Sequence, residues 1–377
     1  MGTTVVKLSS ADTYEIDAAA AALSSGALVV FPTETVYGVA ANAANPAALR
    51  RLHRLKGSPE RPPFTAHVAA RADAARYVPA PSPVARRIAR RAWPGPVTLV
   101  CEVSDPATAP VAAALSADAL ASIYLDGAVA LRCPDHSAAQ RLIERVGVPV
   151  VASSANRVGD PPPGDAGAAL AALDGEVDFV LDAGEARYRA ASTIVRVRGP
   201  AWSLQRTGVY DERTIRRLAR SEVLFVCTGN SCRSPMAEHL FRQKLAAALQ
   251  LAPDQLDAWG YVVSSAGTYA PVGGRASSGA IDELARRGID ARAHQSRPLA
   301  VELLQGAEKI YAMSADHLNA VVRLAPGAAS RAALLDPNGP VSDPMGGGAE
   351  DYARAAQQIE QAVDARLKEY LDEDRNW

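Results

Sequence analysis

The run Glu222-Val-Leu-Phe-Val-Cys227-Thr-Gly-Asn-Ser-Cys232-Arg233-Ser-Pro-Met-Ala-Glu238 constrains the architecture of this chain more than any other stretch. Val223 to Val226 is an apolar, β-branched and aromatic run of the kind that forms a buried strand. A short polar loop follows, and Ser234 and Pro235 then predict a helix start, with Ser234 as N-cap and Pro235 at the first helical position. A buried strand turning through a short loop directly into a helix is the opening unit of an α/β sheet. The same geometry converges backbone N–H groups on one point at the positive end of a helix, which suits an anion such as a phosphate dianion.

The side chains in that loop extend the argument. Arg233 offers a planar fork that can grip two phosphate oxygens. Cys227 is placed as a nucleophile, and such a field favours the thiolate that attacks phosphorus. Thr228, Gly229, Asn230, Ser231, Cys232 and Ser234 make up the rest of the candidate phosphate loop, Gly229 permitting close backbone approach and the Asn230 side chain holding the loop in shape. Cys-x5-Arg alone is weak in an Arg-rich chain; the strand before it and the helix after it carry the weight. A leaving group needs a proton donor, and Asp343, in Gly339-Pro-Val-Ser-Asp343-Pro-Met-Gly-Gly-Gly, lies in a loop shaped by prolines and glycines. The bland alternative for Cys227 and Cys232 is half of a zinc site, but no second Cys or His pair with ligand spacing follows, so no metal is expected.

At 377 residues the chain is long enough for two domains. Short apolar runs around 27–31, 97–103, 128–132 and 148–152 read as strands. The stretches 46–55, 84–92 and 137–146 repeat at helical spacing, so the first half is mixed α/β. Residues 161–164 form a Pro-rich loop. A polar, Arg-rich segment over 210–220 reads as a linker, giving domains of 1–209 and 221–377. Beyond it, 261–265 and 309–313 alternate as strands with helices over 278–287 and 350–371, which predicts a doubly wound, parallel, four-stranded Rossmann-like sheet. A net charge of -1 gives no whole-chain pull toward nucleic acid or membrane. Four cysteines do not make a secreted disulfide scaffold, residues 1–8 lack a signal pattern, and no apolar run is long enough to span a bilayer. The expectation is a cytoplasmic protein without a membrane partner.

The motifs of the second half resemble the low-molecular-weight protein phosphatases over about 222–372. Their signature reads Cys-x-Gly-Asn-x-Cys-Arg-Ser-Pro near the domain start and Asp-Pro near its end, and Ser264-Ser-Ala-Gly-Thr268 and Gly288-Ile-Asp fall at the expected intervals. The resemblance implies Cys227 as nucleophile and Arg233 as phosphate ligand, with the Ser234 hydroxyl on the thiolate. Asp343 would be the general acid, then base, for a phosphocysteine intermediate, without a cofactor. It also implies a reversible Cys227–Cys232 disulfide that shelters the nucleophile. Ser231 stands where tyrosine-specific members place a branched apolar residue, and Tyr269-Ala-Pro-Val-Gly lacks their usual tryptophan. The bacterial protein-arginine phosphatases are the better match, although Ser231 stands where they carry threonine, and the resemblance favours phosphoarginine over phosphotyrosine in phosphoprotein substrates without closing the second.

In the first half, Phe31-Pro-Thr-Glu-Thr-Val-Tyr-Gly-Val39, Lys56-Gly-Ser-Pro-Glu-Arg-Pro-Pro63, Trp93-Pro-Gly-Pro-Val-Thr-Leu99, Val129-Ala-Leu-Arg-Cys-Pro-Asp-His136, Ser153-Ser-Ala-Asn156 and Ser192-Thr-Ile-Val195 occur in one order. Together they resemble the YrdC-type threonylcarbamoyl-AMP synthases over about 7–209. The resemblance implies a twisted mixed-sheet α/β fold that joins L-threonine, bicarbonate and ATP into threonylcarbamoyl-AMP and pyrophosphate, for modification of the adenosine beside the anticodon in certain tRNAs. Thr33, His67 and Ser192 would contact threonine. Lys56, Ser58, Arg61, Ser154, Asn156 and Arg206 would contact ATP, with Mg²⁺ on the triphosphate and tRNA or tRNA-modification proteins as partners. Ser58 stands in place of the arginine of the family's Lys-x-Arg-Pro, and Val158 where a serine is common. Two readings therefore stay open: an active synthase in which Arg61 reaches in, or a nucleotide- or RNA-binding module beside an active phosphatase.

Overall fold

The computed structural model describes residues 2–8, 13–57, 64–374 and 377. It divides into two compact units, one ending at Ala219 and taking in Trp377, the other starting at Arg220.

The first unit is built on one mixed sheet of β1 (Thr4–Lys7), β2 (Val29–Phe31), β3 (Gly38–Asn42), β4 (Thr65–His67), β5 (Val97–Glu102), β6 (Tyr124–Leu125), β7 (Ala128–Arg132), β8 (Val150–Ser154), β9 (Phe179–Asp182), β10 (Thr193–Arg198) and β11 (Ala201–Arg206). The order is β1-β9-β2-β3-β8-β4-β7-β5-β10-β11, with β6 paired to β7. Antiparallel pairs such as β3/β8 and β5/β7 occur beside parallel ones such as β4/β7 and β5/β10. Successive strand residues point to opposite faces, and the core follows that rule. Val29, Phe31, Ala40 and Ala152 pack with the helices Thr13–Ser24 and Ser137–Val146, whereas Val30, Val39, Ala41 and Val151 pack with Pro46–Leu55 and Pro83–Ala92. A sheet covered on both faces leaves its strand ends as the place where polar side chains can collect.

The second unit has four parallel strands, β12 (Ser221–Cys227), β13 (Tyr261–Gly267), β14 (Lys309–Ala312) and β15 (Ala332–Leu334), in the order β13-β12-β14-β15. Val223, Phe225, Tyr261 and Tyr311 face the helices Arg233–Ala248 and Ala349–Asp374, and Leu224, Val226 and Ile310 face the opposite core. The chain reverses its winding beside β12, so the carboxyl end of that strand, Cys227, lies at the topological switch point where open α/β sheets bind ligands.

Two local expectations are corrected. The helix after the loop begins at Arg233 with Cys232 in the N-cap position, so Ser234 lies inside the first turn rather than capping it. Its hydroxyl is engaged by Cys227 and Asn230 instead. Most of the segment read as a linker is a helix, Glu212–Ala219, whose Ile215 and Ala219 are buried in the first unit. Ile215, Leu218 and Ala219 recur at helical spacing, and this apolar stripe outweighs the Arg-rich composition.

Candidate active sites

In the second unit the loop leaving β12 is held in shape by Asn230, which is fully buried and adopts a left-handed conformation with φ 52°. Its Nδ2 donates to Ser234 Oγ at 2.9 Å and Ser265 Oγ at 2.7 Å, and its Oδ1 accepts the Arg297 N–H at 3.0 Å. Because Ser234 Oγ accepts from Asn230, its own proton is free for Cys227 Sγ, 3.0 Å away. The left-handed residue is thus Asn230; Gly229 lies outside that region, and a Cβ there would meet only the Ser231 hydroxyl at 3.4 Å. The glycine that permits close approach is Gly267 at the end of β13. A Cβ on it would lie 2.4 Å from the Thr228 carbonyl oxygen and 2.9 Å from the Asn230 nitrogen. Just beyond, the Thr268 and Tyr269 N–H groups donate to the carbonyls of Cys227 and Thr228 at 2.9 and 3.0 Å.

Arg233 is nearly buried; its Nη2 meets Asp343 Oδ2 at 2.5 Å and its Nη1 donates to the Val341 carbonyl at 3.4 Å. Asp343 Oδ1 also accepts the Met345 N–H at 3.2 Å, which bends the Asp-Pro loop back on itself. The fold therefore brings Asp343, remote in sequence, to the guanidinium that ends the Cys-x5-Arg loop. Cys232 is also buried. Its Sγ donates to Ser277 Oγ at 3.3 Å and meets Tyr352 Oη at 3.4 Å and Ser231 Oγ at 3.6 Å. Thr228 and Arg233 open onto a cavity of about 740 Å³ that Thr268, Tyr269, Asp316 and His317 also line.

In the first unit a cavity of about 580 Å³ gathers Thr33, Lys56, His67, Ser154, Ser192 and Arg206. His67, Ser154 and Arg206 end the strands β4, β8 and β11, while Thr33, Lys56 and Ser192 lie in the connections between elements. Asn156 joins them through Lys56, whose Nζ donates to the carbonyls of Ser154 (3.0 Å) and Asn156 (2.7 Å) and reaches Asn156 Oδ1 at 3.3 Å. Burial pushes the Lys56 ammonium below its usual range. Arg206 wraps Ser192, donating to its carbonyl from Nε (3.1 Å) and Nη2 (3.0 Å). Ser192 Oγ lies 2.9 Å from Thr98 Oγ1. His67 is buried, and its Nδ1 lies 3.0 Å from the Thr65 carbonyl, so Nδ1 carries the proton of that bond. Burial, and then the charge of Arg132, push its pKa down to about 3. The imidazole is therefore neutral, with Nε2 left as an acceptor. Ser58 and Arg61 lie outside the described residues.

Sequence reasoning passed over the centre of this site. Arg132, 7% exposed, ends β7 and donates from Nη2 to Glu34 Oε1 at 3.0 Å and Thr35 Oγ1 at 2.5 Å, with Thr33 Oγ1 at 3.4 Å. Glu34 in turn accepts the Asp135 N–H at 3.0 Å. The available signal was an arginine closing an otherwise apolar strand and a carboxylate inside Pro-Thr-Glu-Thr, both out of place in a buried sheet unless paired. Among the described residues no group of three His, Cys, Asp or Glu side chains could hold a metal ion, and no helix is long and apolar enough to cross a membrane.

A family model described as telomere recombination, of the Sua5, YciO and YrdC group, matches residues 21–208, and one described as low molecular weight phosphotyrosine protein phosphatase matches residues 222–376. Over 193 residues the chain is 37% identical to a putative threonylcarbamoyl-AMP synthase of Mycobacterium tuberculosis, covering 51% of this chain and 83% of that protein. Over 154 residues it is 37% identical to a protein-arginine-phosphatase of Geobacillus stearothermophilus, covering 40% of this chain and 95% of that one. It spans about half the length of the threonylcarbamoyl-AMP synthases of Pyrococcus abyssi and Bacillus subtilis, at 34% and 36% identity. Among solved structures, a variant of Pyrococcus abyssi Sua5 overlaps 88% of this chain and 98% of that one with a TM-score of 0.51 at 21% identity, a likeness of fold.

Proposed function

Since this chain belongs to the threonylcarbamoyl-AMP synthase family through its first unit and to the low-molecular-weight protein phosphatase family through its second, we propose that it is a bifunctional enzyme with two separate chemistries. In the second unit Cys227 attacks phosphorus while the loop N–H groups and Arg233 hold the phosphoryl oxygens. Asp343 passes a proton to the departing nitrogen or oxygen. It then takes a proton from the water that cleaves the phosphocysteine, releasing inorganic phosphate and regenerating the thiolate. The observation that carries this reading is the convergence of Ser234 on Cys227 Sγ at 3.0 Å and of Asp343 on Arg233 at 2.5 Å.

Phosphoarginine is the favoured substrate. The small, polar Ser231 beside Cys232 suits a guanidinium better than a phenyl ring, and a relative named protein-arginine-phosphatase is 37% identical. A phosphoarginine peptide is expected to exceed a matched phosphotyrosine peptide in kcat/KM. Ser231→Ile should reverse that order, and a phosphotyrosine preference in the unaltered enzyme would refute it.

In the first unit the threonine amine and bicarbonate form a carbamate, with loss of water. Its oxygen attacks the α-phosphorus of ATP and expels pyrophosphate, giving the intermediate used for tRNA modification. Thr33, His67, Ser192 and Arg132 hold threonine, the arginine facing its carboxylate, and Lys56, Ser154, Asn156 and Arg206 hold the nucleotide. Mg²⁺ enters with the triphosphate as its counter-ion. Pyrophosphate release by Cys227→Ser protein tests this half without interference from the phosphatase. Release that requires both threonine and bicarbonate supports a synthase, and ATP binding without release identifies a nucleotide-binding module.

A further inference from the structure

We propose that His317 is a positioning residue of the phosphatase site, setting the phosphate loop through the hydroxyl of Thr228. The inference rests on the phosphatase reading and assigns a part of that site which no Cys-x5-Arg motif contains. His317 lies in the first turn of the helix Ala315–Leu324 and is 6% exposed. Its Nε2 is 2.8 Å from Thr228 Oγ1, and its Nδ1 is 2.8 Å from Ser314 Oγ. Thr228 directly follows the nucleophile, and its carbonyl is already tied to the Tyr269 N–H. The residue is thus fixed on the β13 side through its backbone and on the β14 side through its side chain.

The use made of Ser314 is the second observation. A serine at an N-cap ordinarily accepts an N–H from the first turn of its helix. Ser314 occupies the N-cap position but makes no such bond, and its hydroxyl goes to His317 instead. The helix gives up a cap, and a chain of three side chains, Ser314 to His317 to Thr228, ends on the phosphate loop. Burial, then the Arg233 charge, hold the imidazole below its usual range against the opposite pull of Asp316 and Asp343. The neutral ring has one donor and one acceptor nitrogen, and each hydroxyl can supply the complementary role. A rigid loop keeps its N–H groups aimed where phosphoryl charge develops, and that arrangement costs no reorganisation during the reaction.

Two substitutions separate positioning from packing, because each keeps one of the two nitrogens. In full-length protein, His317→Gln retains a group near Nε2 that can still reach Thr228. His317→Asn retains one near Nδ1 that reaches only Ser314. Inorganic phosphate binding, measured by calorimetry, and kcat and KM on an aryl phosphate are the readouts. Asn is expected to weaken phosphate binding and lower kcat about tenfold, as is Thr228→Val, with the double variant no worse than either alone and Gln within about threefold of wild type. Thr228→Ser should restore the loss. Equal effects of Asn and Gln, additive effects of His317→Asn and Thr228→Val, or a loss confined to thermal stability would overturn the proposal. Failure of the wild-type protein to turn over an aryl phosphate refutes the phosphatase reading instead, and the phosphate-binding cycle still decides the role of His317.

Discussion

The two sites are assembled in opposite ways. In the second unit, Cys227, Asn230, Arg233 and Ser234 sit within one loop and the first turn after it, and Asp343 and His317 join them from farther along the chain. In the first unit, Thr33, Lys56, His67, Arg132, Ser154, Ser192 and Arg206 come from separate strand ends and loops and meet only because the mixed sheet is folded. A site made by one loop depends on the conformation of a few residues. A site made by a sheet depends on the burial of its charges, and its electrostatics should be tied to the stability of the whole unit.

The largest expected effect tests the second half of that contrast. Glu34 and Arg132 have side chains 0% and 7% exposed and pair at 3.0 Å. Removing one partner strands the other charge in the interior, so Glu34→Ala should cost about 3–5 kcal/mol of stability and abolish threonine-dependent pyrophosphate release. Calorimetric unfolding together with the release assay checks both. A variant that folds normally but is inactive would show that the pair serves chemistry alone. Next comes Asp343→Asn, which should lower kcat about 10²- to 10⁴-fold on substrates with poor leaving groups and much less on an activated aryl phosphate, with stability nearly unchanged because Asp343 is half exposed. A uniform loss across leaving groups would reassign Asp343 to holding Arg233.

Gly267→Ala probes the loop from outside. The added methyl must displace the Thr228 carbonyl or the Asn230 backbone, neither of which is a flexible side-chain end. The expected cost is about 1–3 kcal/mol of stability and a larger fractional loss of phosphate affinity than of synthase activity. Equal losses in both activities would mean that the change unfolds the chain rather than bending one loop.

Legibility in the sequence followed the same contrast. The strand, loop and helix around Cys227 stand in consecutive residues, so that unit could be read directly. The readings of Ser234 as cap, of Pro235 as first helical residue and of Gly229 as the close-approach glycine failed. The helix starts at Arg233, the Ser234 hydroxyl has better partners in Cys227 and Asn230, and the crowded glycine is Gly267 on a neighbouring strand. The strands β3 and β4 were not visible as elements. Gly-Val-Ala-Ala-Asn is buried on both faces and shows no alternation, and Thr-Ala-His is too short to show a period. With β4 unseen, His67 could be placed by motif order but not next to Arg132, and the Glu34–Arg132 pair could not be inferred. His317 escaped for a related reason: a lone histidine in a helix carries no pattern, and its meaning comes from Thr228, 89 residues away in the chain.

The smallest effect is also the most specific to a sheet-built site. A histidine in an unfolded chain titrates near 6.5, while His67 in the folded first unit titrates near 3, through burial first and the Arg132 charge second. Between these values the unfolded chain binds a proton that the folded one does not. The stability contributed by neutral His67 is therefore fully present above about pH 6.5 and is lost as the pH falls toward 3, with a slope of up to about 1.4 kcal/mol per pH unit. Hydrogen exchange of amides in β4 and β7 at pH 7, 5.5 and 4.5 reads this locally, without contribution from the second unit. Wild-type protection should fall faster with acid than that of His67→Gln, which cannot take up the proton. Parallel loss in both proteins would place the acid sensitivity in the carboxylates, with Glu34 beside Arg132 the first to examine.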